Sequence, residues 1–106
     1  MTPEERERFY DEDVAPALAE LCRHCAAAGI SILTLAELRP EALGRTAMLL
    51  DGHGQGIALA NTAAGANGNP DALIRALIAD AQANGHSSIY LFQLGIPFDP
   101  VAAGTG

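Results

Sequence analysis

The chain has 106 residues, 49% of them apolar and 18% charged, with a formal net charge of −7. That length suits one domain with a modest core, and the apolar share excludes a disordered chain. The acidity repels phosphate backbones, so no direct nucleic-acid partner is expected. No apolar run is long enough to cross a bilayer, so no membrane partner is expected either.

The apolar share overstates the core, because much of it is alanine and there is no Trp. Leu, Ile, Val and a few aromatics must supply most of the burial, and self-association could add to it. The stretch Thr2-Pro3-Glu4-Glu5-Arg6-Glu7 is too charged for a signal-peptide core, which makes the cytoplasm the expected location. The charge is uneven. Seven acids (Glu4, Glu5, Glu7, Asp11, Glu12, Asp13, Glu20) face only Arg6 and Arg8 in the first twenty residues, a local net of −5. Such a face attracts a basic protein surface, or it serves only solubility. There is no Lys; every base is Arg.

The first predicted element is a long helix. Thr2 can cap it, Pro3 fits its first position, and Glu5 completes a Thr-x-x-Glu capping box. Val14, Leu18, Leu21 and Cys25 recur at helical spacing as an inward stripe, which Phe9 and Tyr10 extend. Pro16 interrupts this pattern, since a proline inside a helix removes one hydrogen bond and clashes with the preceding turn. Either one helix bends there or a second starts at a cap on Asp13. The reading favoured is one bent helix ending at Gly29.

Residues 30–35, Ile-Ser-Ile-Leu-Thr-Leu, read as a strand, 37–44 as a connection, and 45–50 as a second strand, pairing antiparallel. Residues 51–56 read as a glycine-rich turn. Residues 57–66 suit strand or helix, with alanine favouring helix, and Asn67-Gly68 ends that element. Asn69-Pro70-Asp71 opens a second strong helix, with Leu73, Ile74, Leu77, Ile78 and Ala81 as its buried face and Asp71 placed to pair with Arg75. Asn84-Gly85 closes it. Ser88 caps a short helix over 89–94, although those residues also suit a strand, and Gly95 and Pro97 stop it. The fold expected is α+β: a long N-terminal helix, a small antiparallel hairpin or sheet, and C-terminal helices. It forms a single domain over 1–97, with 98–106 as a flexible tail.

Several motifs could carry chemistry. Cys22-Arg23-His24-Cys25 has the Cys-x-x-Cys spacing of redox and zinc sites. It lies in the last turns of a helix, where the dipole disfavours thiolate, whereas redox pairs favour a helix start. A structural zinc would need two more ligands, for which His53 and His86 are the candidates. The simpler reading makes both cysteines packing residues. The Gly52-x-Gly54-x-Gly56 loop lacks both the spacing of a dinucleotide fingerprint and the Gly-Lys-Ser/Thr of a P-loop. Asp51 and His53 could pair as acid and base, but no nucleophile is placed beside them. His86-Ser87-Ser88 reads as a cap. No cofactor is expected.

Two stretches carry a resemblance. Phe9-Tyr10 through Val14-Ala15-Pro16 to Cys25 is one. Asn67-Gly68-Asn69 through Gly85-His86-Ser87-Ser88 to Leu94-Gly95-Ile96-Pro97 is the other. Together they resemble small uncharacterised proteins encoded by phages and prophages of Gram-negative bacteria. The resemblance implies an accessory role in a bacterial cytoplasm, exercised by binding a host protein.

The function expected is therefore a non-enzymatic protein-interaction role. Glu4, Glu7, Asp11, Glu12 and Asp13 would meet a protein with a basic surface, with self-association as a variant. The alternative is a zinc- or small-molecule-binding protein using Cys22, Cys25, His53 and His86.

Overall fold

A computed structural model describes residues 1–101, and its class is α+β. The elements are α1 (Pro3–Phe9), a π-helical segment (Tyr10–Val14), α2 (Ala15–Ala27), β1 (Ile32–Arg39), β2 (Ala42–Met48), α3 (Gln55–Gly65), α4 (Pro70–Asn84) and α5 (Ile89–Gln93). The chain divides into two compact units, Met1–Gly68 and Asn69–Gly106. The boundary falls within the Asn67-Gly68-Asn69 turn.

In the first unit the N-terminal helix runs unbroken from α1 to the end of α2. Thr2 accepts a hydrogen bond from the Glu5 amide at 3.1 Å, as the capping sequence requires. Pro16 is accommodated by a widened turn before it. The Ala15 amide reaches back five residues to the Tyr10 carbonyl, and this spacing relieves the clash a proline ring makes with the carbonyl four residues earlier. No new helix starts at Asp13. The helix ends at Ala27, and Gly29 follows at φ 81°. The Gly29 amide donates to Ala26 and the Ile30 amide to Cys25, which satisfies the last carbonyls.

The hairpin is longer than expected. β1 starts two residues later than the sequence indicates and extends to Arg39, and β2 starts at Ala42, so only Pro40 and Glu41 make the turn. Residues 37–44 are therefore mostly strand. The pairing runs from Ile32 opposite Met48 to Arg39 opposite Ala42, with an irregularity between Glu37 and Arg39 that leaves Leu38 unpaired. The Leu38 carbonyl accepts from Arg6 at 2.7 Å, which ties α1 to the turn end of the hairpin. At the other end, Ser31 Oγ accepts from the Leu50 amide at 3.0 Å.

Helix and hairpin meet through small side chains. Cys22 is 2% exposed, and Ala15, Leu18, Ala19, Cys25 and Ala26 are partly buried around it. The inward line passes through Cys22, so Leu21, expected in the stripe, sits on its flank about half exposed, as does Phe9. Tyr10, by contrast, is buried over Gly44 of β2. Of residues 57–66, all but the capping Ala66 are helical, within α3, which follows Gly54; Asn67 comes next at φ 51°.

In the second unit, Asn69 Oδ1 caps α4 by accepting from the Ala72 amide at 3.1 Å, and Gly85 closes it at φ 82°. Ala81 is buried and Leu73, Leu77 and Ile78 are partly so, but Ile74 is exposed and leaves the predicted face. Among the described residues no ion pair joins Asp71 to Arg75. Ser88 Oγ accepts from the Leu91 amide at 3.1 Å and starts α5 as a helix. After α5 the chain turns at Gly95 and returns to α4, where the Val101 amide donates to the Gln82 carbonyl at 2.7 Å. Of the stretch expected as a tail, 102–106 lies outside the described residues. Within 98–101, Phe98 stacks on Phe92 at 4.5 Å, and its carbonyl accepts from the His86 amide.

Candidate functional site

The acidic residues singled out in the sequence stand on the N-terminal helix. Glu4 and Glu7 lie in α1, and Asp11, Glu12 and Asp13 lie in the π-helical segment. All five are exposed. Glu4, Glu7 and Asp11 follow one another at three and four residues, the spacing of neighbours along one helix side. The ion pairs among the described residues join Glu20 to Arg23 and His24, and Arg39 to Glu41, so none engages the five. Arg6, which stands between Glu4 and Glu7 in sequence, is turned to the Leu38 carbonyl instead. The acids are therefore carried by a helix anchored to the hairpin at Arg6 and Tyr10, with their own charges uncompensated by salt bridges.

The Cys-x-x-Cys pair is placed differently from a reactive dithiol. Both cysteines are free, Cys22 buried and Cys25 partly buried, on the helix side facing the hairpin. His24 lies on the outer side and pairs with Glu20 at 3.0 Å. His53 Nδ1 lies 2.9 Å from the Leu50 carbonyl, which binds it to its own turn and not to Asp51. His86 is locked in the second unit. Its Nδ1 accepts from the Ser88 amide at 3.0 Å, which leaves Nε2 to donate to the Ile96 carbonyl at 2.9 Å, while its ring lies 5.3 Å from that of Phe98. Among the described residues no group of three or more His, Cys, Asp or Glu side chains is arranged to hold a metal ion. The glycine loop serves as a turn before α3, with Gly52 at φ 80°.

An open cleft of about 430 Å³ lies in the first unit, lined by Glu41, Ala42, Leu43, Arg45, Ala64, Gly65 and Asn67. Both of its charges are already engaged. Arg45 donates to the carbonyl and Oδ1 of Asn61 at 3.2 Å, and Glu41 pairs with Arg39 at 3.4 Å. No local sequence pattern marks this cleft, because it forms where the hairpin turn meets the end of α3.

A larger feature absent from the sequence reading is exposed apolar surface. Ile89, Tyr90, Phe92, Leu94, Phe98 and Val101 are all exposed in the second unit. Their signal was present as a run of bulky residues after Ser88, but such a run looks like core until the fold shows which side chains face inward. Among the described residues after Ser88, only Ile96 is buried, with Leu91 partly so.

No helix among the described residues is long and apolar enough to cross a membrane. In comparisons with known proteins, no family model matches the chain, and no curated protein or solved structure gives a significant match.

Proposed function

We propose that this protein is a non-enzymatic interaction protein that presents the acidic side of its N-terminal helix to a basic protein surface. The observation that carries this reading is the set Glu4, Glu7, Asp11, Glu12 and Asp13, all exposed and free of ion pairs on an anchored helix. A fixed row of like charges steers a complementary partner and raises its on-rate. In the accessory role implied by the likeness to phage- and prophage-encoded proteins, that partner is a host protein met in the cytoplasm. The second reading, a zinc site at Cys22, Cys25, His53 and His86, gains no support from where these side chains lie.

The test is affinity capture from bacterial lysate with the natural chain and with the combined variant Glu4→Lys, Glu7→Lys, Asp11→Lys, Glu12→Lys. The natural chain should retain a basic partner that the variant loses, with helix content unchanged. Equal capture by both proteins would overturn the reading.

A further inference from the structure

The second unit holds three of the chain's five aromatic residues, and all three are outside its core. Its described residues bury only Ala81 and Ile96, and Asn69–Gly106 is shorter than the ~40 residues below which a unit usually needs a disulfide, a metal or a partner to hold it. Ile89, Tyr90, Phe92, Leu94, Phe98 and Val101 range from 41% exposed at Phe98 to 70% at Ile89. They are grouped. Phe92 lies one turn from Ile89 and stacks on Phe98, and Leu94 lies one turn from Tyr90.

We propose that this apolar surface on α5 and the segment after it is the interface through which two copies of the chain pair. Area is the first argument. Aromatic side chains carry roughly 150–250 Å² each, so the six residues present on the order of 700 Å², close to the ~800 Å² per partner of a standard interface.

Charge is the second argument. Residues 81–98 contain no Asp, Glu, Lys or Arg, whereas the rest of the chain carries all of the −7. Two acidic copies repel except where they meet on weakly charged surface, and Asp99 is the one Asp, Glu, Lys or Arg between Ala81 and Val101. A lipid surface is disfavoured, because the stretch offers no basic residue to anionic headgroups. A foreign protein would find only the single charge of Asp99 here to select it. A two-fold pairing instead sets rings against rings, as in self-complementary interfaces with aromatic anchors.

The surface and the acidic helix belong to different units of the chain and use different residues, so the proposal stands or falls independently of the reading above. Sedimentation of the full chain should give a dimer. The combined variant Ile89→Asp, Leu94→Asp should weaken pairing by roughly a hundredfold or more, as expected for two interface anchors, with unchanged circular dichroism. Leu35→Asp, at a half-exposed apolar site on the hairpin, should leave the dimer intact. In the natural chain, amide hydrogen exchange at 89–94 should slow as concentration rises, a readout independent of any variant. A natural chain that stays monomeric, exchange that ignores concentration, or a dimer lost in Leu35→Asp and kept in the double variant would each overturn the proposal.

Discussion

Gly44 shows how one residue can be misread from sequence and understood from packing. In a sequence it looks like a strand breaker, and it encourages ending the connection there. In the fold it lies inside β2, and a Cβ at this position would come within 2.5 Å of the Tyr10 ring. The glycine provides clearance that lets the helix settle on the strand. Because Tyr10 is 8% exposed, its ring has little room to retreat. Gly44→Ala should therefore cost about 1–3 kcal/mol, the usual penalty of overpacking. Urea unfolding should show the loss, and Tyr10→Leu should remove most of it; equal stability of the natural chain and Gly44→Ala would contradict this packing.

Glu20 illustrates a residue whose neighbours set its ionisation. The hydrogen bond from Arg23 and then its charge, with a smaller contribution from His24, hold the Glu20 carboxyl below its ordinary value. A carboxyl lowered in the folded state stabilises above its unfolded pKa, and that contribution is lost as pH falls through the folded value. Both side chains of the pair are more than half exposed, so salt should screen the effect. Carboxyl titration followed by NMR should move Glu20 upward in Arg23→Ala; an unmoved titration would mean that Arg23 is not the cause.

At the scale of elements, the helices were the most legible parts because their ends are written in local chemistry. Thr2, Asn69 and Ser88 each accept the amide three residues on, which a capping sequence specifies without reference to the rest of the chain. Pro16 was legible as a disturbance but not as its solution: a proline predicts trouble, and whether the helix bends or widens depends on what it lies against. Strand limits were less legible. Glu37, Arg39 and Gly44 look like connection residues, yet a two-strand ladder tolerates polar residues on its open side and needs a glycine under Tyr10. The acidic surface could be read directly, since charged side chains face water in almost any fold. The α5 surface could not, because a bulky apolar run does not reveal which of its members the fold will leave outside.

At the scale of the whole molecule, the two proposed surfaces differ in kind, and ionic strength separates them. The acidic helix concentrates a net −5 within twenty residues of a chain whose total is −7. Attraction between that helix and a basic partner acts across solvent, so it should fade as the screening length falls from ~8 Å at physiological salt to ~3 Å at 1 M. Pairing through α5 sets mostly uncharged surface together, with Asp99 the one Asp, Glu, Lys or Arg between Ala81 and Val101, and the long-range force between copies is repulsive. Added salt therefore screens what opposes the dimer while leaving the apolar contact in place, or strengthening it where the salt is a sulfate. Partner capture and dimer mass measured along one salt series should move in opposite directions, capture falling while the dimer holds or gains. A dimer that dissociates with salt would place ion pairs at its interface and move the pairing surface away from residues 81–98, towards the charged N-terminal helix.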